Sequence, residues 1–69
     1  MINEVILELG FERKKNKLYF VDSEANLVEM DSSSKAKTIV AKTNIRKEPG
    51  YFYYLNKEGN VGRFKPMNL

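Results

Sequence analysis

Tyr51-Phe52-Tyr53-Tyr54-Leu55-Asn56-Lys57-Glu58-Gly59-Asn60-Val61 is the stretch on which the fold turns. Tyr51 to Leu55 is a run of aromatic and aliphatic residues, which suits an extended, half-buried strand. Asn56 to Gly59 reads as a type I hairpin turn, with Gly59 at a position that needs φ > 0. The Asn56 side chain can bond its own turn backbone. Asn60-Val61 opens the return strand, and Pro49-Gly50 marks another turn just upstream.

Working outward, the same pattern recurs 34 residues earlier. Val5 to Asp31 lies over Ile39 to Lys65 without a gap. Tyr19/Tyr53, Glu24/Glu58 and Asn26/Asn60 are identical pairs. Val5/Ile39, Ile6/Val40, Phe11/Ile45, Arg13/Lys47, Leu18/Phe52, Phe20/Tyr54, Val21/Leu55, Asp22/Asn56, Leu27/Val61 and Met30/Phe64 are similar ones. Three identities are few, and any two hairpins share some of this pattern. The ungapped register of apolar and turn positions carries the reading. Ala25 stands where Gly59 stands, so the first turn places an alanine at positive φ at a cost of about 1 kcal/mol. Ala25→Gly is therefore expected to stabilise.

A third strand precedes each hairpin. Val5, Leu7, Leu9 and Phe11 alternate with Ile6, Glu8, Gly10 and Glu12, which predicts one inward face. Ile39, Ala41, Thr43 and Ile45 are the matching set, so Val40, Lys42, Asn44 and Arg46 are expected to point away from the core. Ile2, Val5, Ile6 and Leu9 also fit a helical period; the β-branched Thr38-Ile39-Val40 favours strand. The expectation is an all-β fold: a tandem duplication of a three-stranded antiparallel meander, packed as a six-stranded pseudo-twofold barrel or sandwich. Residues 1–69 form a single domain in this reading, with repeat unit one at 5–31, a polar linker at 32–38 and repeat unit two at 39–65. Leu18, Phe20, Val28, Met30, Phe52, Tyr54 and Phe64 line one side of the hairpins; Tyr19, Val21, Tyr53 and Leu55 line the other. Both sides are apolar, and a chain this short can hardly cover both, which implies a homo-oligomer or a ligand surface.

Composition limits the chemistry. The 69 residues include no cysteine and no histidine. That excludes disulfides, leaves structural zinc and most transition-metal sites without their ligands, and removes Ser-His and Cys-His nucleophile pairs. Four glycines form neither a P-loop nor a dinucleotide-binding pattern. No enzyme activity, no cofactor and no metal is expected. MINEVILELG has no basic n-region and no long apolar h-region, and Val5-Ile6-Leu7 is too short a run to cross a membrane, so a cytoplasmic protein without a membrane partner is expected.

Charge divides the chain. Residues 1–34 hold four basic and seven acidic groups, net −3; residues 35–69 hold eight basic and two acidic groups, net +6. Mutual attraction of the halves is one reading. A polyanion surface on the second unit is the other: Lys42, Arg46, Lys47, Arg63 and Lys65 beside Tyr51 and Tyr53 pair cations for phosphates with aromatics for bases. A small non-enzymatic binding module that contacts DNA or RNA through these seven residues is the leading expectation. A protein-interaction or self-associating β domain is the alternative.

Two resemblances follow from the quoted residues. Gly50-Tyr-Phe-Tyr-Tyr-Leu-Asn56, with Phe64 and Pro66, resembles the second half of a WW domain, a three-stranded meander that binds proline-rich peptides. This chain lacks the two tryptophans of that family. Ala41 to Met67 is similar to very short uncharacterised prokaryotic proteins that share K-T-x-I-x-R-E-x-G-Y-x-Y-x-x-D-x-x-G-x-V-x-R-x-x-M, with Lys47-Glu48 at the Arg-Glu pair. That resemblance implies a single-copy unit that dimerises, with this chain carrying both halves.

Overall fold

The computed structural model describes residues 2–66. Met67, the last residue of the second resemblance, lies outside them. Six strands follow one another: β1 (Ile2–Leu7), β2 (Lys17–Val21), β3 (Asn26–Asp31), β4 (Lys37–Lys42), β5 (Phe52–Leu55) and β6 (Val61–Lys65). All pairings are antiparallel, in two three-stranded sheets ordered β1-β6-β5 and β2-β3-β4. The all-β expectation holds, and the segment from Ile2 is strand rather than helix. Among the described residues no helix is long and apolar enough to cross a membrane.

The hairpins form where the turn chemistry places them. Asn56 Oδ1 accepts from Asn60 N at 2.9 Å, Gly59 N donates to Asn56 O at 3.0 Å, and Gly59 sits at φ 80°. In the first hairpin Asp22 plays the same part for Asn26, and Ala25 sits at φ 62°.

The lead strands depart from expectation. Neither joins the hairpin that follows it. β1 pairs with β6, the far strand of the second hairpin, and β4 pairs with β3 of the first. Connection length explains this. Only Ser32 to Ala36 separates β3 from β4, a span that closes as a turn. Asp31 Oδ1 accepts from Ser33 N and Ser34 N at 2.9 and 3.0 Å, and Lys35 N donates to Asp31 O at 2.9 Å. Residues 8–16 between β1 and β2, and 43–51 between β4 and β5, are longer and cross the molecule as straps. The expected linker is correspondingly shorter: Lys37 and Thr38 belong to β4.

The inward phase of the lead strands also differs. Val5 pairs Gly62 while Leu7 pairs Val61, so Ile6 is an extra, bulged residue; Val28 pairs Ile39 while Leu27 pairs Ala41, which leaves Val40 bulged. Each bulge breaks strict alternation. Ile6 and Leu7, and likewise Val40 and Ala41, all pack on the core, whereas Val5 and Ile39 are about half exposed. Val40 thus faces in, not out.

Val21 and Leu27 from one sheet and Leu55 and Val61 from the other make the buried core, with Tyr19, Tyr53, Leu9, Phe11 and Ile45 packed around it. The two sheets are not joined by strand pairing, so the barrel is not closed. Every pairing of β1-β6-β5 except Ile2 with Lys65 has its counterpart in β4-β3-β2 at the offset of 34, bulges included. The positive-φ positions Gly10/Asn44, Asn16/Gly50 and Ala25/Gly59 keep the same offset.

Candidate functional site

The residues expected to contact a polyanion fall into two groups. Arg63, Tyr51, Tyr53, Lys47 and Lys65 come together at the end of the β1-β6-β5 sheet, on its core-facing side. Arg63 is the hub. Its Nε donates to Glu4 at 2.8 Å, its Nη1 donates to Glu48 at 2.7 Å, and its guanidinium lies 4.0 Å from the centre of the Tyr51 ring. These two carboxylate bonds raise its pKa, that to Glu48 most. Arg63 is therefore charged but neutralised on the spot, and its side chain is only 18% exposed.

Lys47 stands 5.4 Å over Tyr53 and donates to Asp22 O at 3.1 Å; Lys65 stands 5.7 Å from the Tyr51 ring. The Tyr53 hydroxyl accepts from Glu48 N at 2.7 Å. Tyr51 and Tyr53 are half-buried with their faces occupied by cations of their own chain. Lys42 and Arg46 are elsewhere. Lys42 ends β4 opposite Asn26, and both are exposed with no carboxylate in ion-pair distance among the described residues.

The first half carries the matching arrangement with the charges exchanged. Lys14 N donates to the Tyr19 hydroxyl at 3.0 Å, and that hydroxyl donates to Glu29 at 2.8 Å. Lys14 Nζ approaches Glu29 at 4.0 Å, where the second half has Glu48 on Arg63. Arg13 covers Tyr19 at 5.1 Å, as Lys47 covers Tyr53. Burial, opposed in part by the Lys14 amide, raises the Tyr19 pKa. Such pairs lock each strap to its hairpin, which is the role the geometry gives Lys47, Tyr53 and Arg63 first.

The outer sheet faces differ from each other. On β1-β6-β5, Phe52 stacks on Phe64 with ring centres 5.2 Å apart, and Tyr54 lies flat over Gly62 with its hydroxyl donating to Asn3. A Cβ on Gly62 would meet that ring at 2.6 Å, so glycine is what leaves room for the tyrosine ring at this point. On β2-β3-β4 the equivalent positions are Phe20, Val28 and Lys37. Apolar exposure is alike on the two faces, with Phe52 53% and Val5 51% exposed on β1-β6-β5. Leu18 is 48% and Ile39 55% exposed, and Phe20, Val28, Thr38 and Ile39 line a cleft of ≈ 280 Å³ flanked by Asp22 and Lys37. That is at the lower edge of small-molecule sites, about 300–1,000 Å³, and fits one or two inserted side chains.

Leu18, Phe20 and Val28 were expected together on one apolar side of the hairpins, whereas Ile39 was expected on the inward face of its strand and instead lines the outer cleft. The available signal was the apolar character of both hairpin sides. Comparison with protein-family models, with curated proteins and with solved structures gives no match for this chain.

Proposed function

We propose that this chain is a non-enzymatic interaction module: a tandem duplication folded as two facing sheets, which self-associates through the outer face of β2-β3-β4. The observation that carries the reading is the cleft beside exposed Leu18 and Ile39; at the matching place on the other sheet Tyr54 fills the space over Gly62. A second copy is the occupant the charges favour. Asp22 and Lys37 sit on either side of the cleft. About a twofold axis, Lys37 of each copy meets Asp22 of the other, as an isologous interface requires. Leu18, Phe20, Met30 and Ile39 supply the apolar centre.

Sedimentation equilibrium tests it. The chain is expected to dimerise, Ile39→Lys to yield monomer without loss of β-sheet signal, and Lys37→Asp to weaken association unless Asp22→Lys accompanies it. A wild-type monomer at every concentration overturns the reading.

Nucleic-acid contact is the second reading. The observation favouring it is that Lys42 and Arg46 are exposed and free of carboxylate partners among the described residues. It predicts binding that falls steeply with salt and is lost in Lys42→Glu/Arg46→Glu. Arg63→Gln would act on such binding only through the strap it holds.

A further inference from the structure

We propose that two copies of this chain exchange halves at the Ser32–Ala36 turn, so that residues 2–31 of one copy complete both sheets with residues 37–66 of the other. The partner is a second copy, and the surface is the one the two halves already share.

Three observations carry this. First, among the described residues neither half builds a three-stranded sheet alone: β1 finds its strand partner in β6, and β4 finds its own in β3. The core is likewise divided, Val21 and Leu27 against Leu55 and Val61. The straps interlock in the same sense. Phe11 N donates to Gly59 O at 2.9 Å and Thr43 N to Ala25 O at 3.1 Å, while Arg13 donates to Leu55 O at 2.9 Å and Lys47 to Asp22 O at 3.1 Å. Second, a single short turn joins the halves, so an exchanged dimer keeps every one of these contacts and changes only that turn. Third, the turn is held in a conformation its sequence resists. Lys35 sits at φ 66°, a region L side chains rarely adopt, and short strained hinges favour exchange. The Asp31 bonds to Ser33 and Ser34 work against opening. Closure also gains from tethering, an effective concentration on the order of millimolar. Exchange is therefore populated when the chain refolds at concentrations near that value. It is independent of the outer-face pairing proposed above.

The test uses the full chain carrying Ile2→Cys and Lys65→Cys, which are directly opposite partners in β1 and β6. No other cysteine is present. Ile39→Lys is added so that outer-face pairing is absent. The protein is refolded at about 10 μM, far below the tethering value, and at about 1 mM, near it, oxidised, and run without reductant. In the closed form the disulfide lies within one chain; in the exchanged form it links two. A covalent dimer whose share rises with refolding concentration, and which persists when Lys35→Gly is absent but shrinks when Lys35→Gly relaxes the turn, is the expected result. Deleting Ser33 and Ser34 is expected to make the linked dimer dominant at both concentrations. An intrachain disulfide at every concentration, with the native turn, overturns the proposal whether or not the deletion variant folds.

Discussion

Gly59→Ala is the substitution in which the fold should fail most for the least change in chemistry. Gly59 combines φ 80° with a backbone laid across it: an added Cβ would stand 1.8 Å from Phe11 O and 2.7 Å from Phe11 N. The obstacle is main chain, so no rotamer relieves it. Alanine in the left-handed region costs about 1–2 kcal/mol. Displacing the strap breaks the 2.9 Å Phe11 N–Gly59 O bond, about 1 kcal/mol net. It also lifts a half-buried Phe11 off Tyr19, whose ring lies 5.5 Å away, for roughly another 1 kcal/mol. The sum is about 3–4 kcal/mol. A chain of 69 residues holds only about 3–10 kcal/mol in total, at roughly 0.05–0.15 kcal/mol per residue. The assay is urea denaturation followed by circular dichroism, with amide exchange at Phe11 as the local reading. The expected outcome is a loss of at least about 2 kcal/mol together with lost Phe11 protection. A loss below about 1 kcal/mol, with Phe11 still protected, would refute the strap geometry.

Ala25→Gly, at the matching position, should slightly raise the denaturation midpoint: relief at φ 62° exceeds the loss of one buried methyl, about 0.8 kcal/mol, by a small margin. The tolerated Cβ follows from the second strap, which docks on Ala25 through Thr43, two positions out of phase with Phe11 on Gly59. Asp31 tests the pH dependence. Bonds from the Ser34 amide first, then the Ser33 hydroxyl and Lys17, hold its pKa well below the usual carboxylate range. A depressed carboxylate stabilises above its unfolded pKa of about 3.9 and loses that effect as pH falls toward the folded value. Wild type should thus exceed Asp31→Asn in stability at pH 7, and the gap should narrow in melts carried below about pH 4. Arg63→Glu should destabilise by gathering three carboxylates, and adding Glu48→Lys with Glu4→Thr should restore stability by copying Lys14, Thr38 and Glu29 at the matching place beside β2-β3-β4.

Local signals were legible and partner choice was not. Asn56 to Gly59 and Pro49-Gly50 state their turns in residue chemistry, and both hairpins stand where those residues put them. The lead strands carry no such statement. Val5-Ile6-Leu7 and Ile39-Val40-Ala41 are apolar in both phases, so alternation alone could not show that Ile6 and Val40 bulge and reverse the phase. Exchange of the lead strands uses the same residues as an unexchanged meander. The polar run 32–38 read as a linker between units, so nothing in it pointed to a turn that lays β4 back on β3. Arg63 was counted among available cations because its neutralising partner Glu4 is 59 residues away in the chain. Proximity of that kind exists only after β1 has crossed to β6. The outer-face cleft was equally hidden, since Gly62 against Val28 decides whether an aromatic ring fills that place, and neither residue looks functional by type.

The pairing of β1 with β6 has a consequence for how the chain is made. The second sheet, β2-β3-β4, is contiguous in sequence and can assemble once Lys42 has emerged from the ribosome. β1 leaves the ribosome first and yet waits longest, because Ile2 meets Lys65 and Leu7 meets Val61. Until β6 has emerged, its edge, with Ile2, Val5, Ile6 and Leu7, lacks the partner strand it has in the fold. Contacts of such wide sequence separation also slow folding after release. A nascent chain that meets another at the same stage can satisfy β1 there instead, so crowding on one messenger would set how many molecules finish alone.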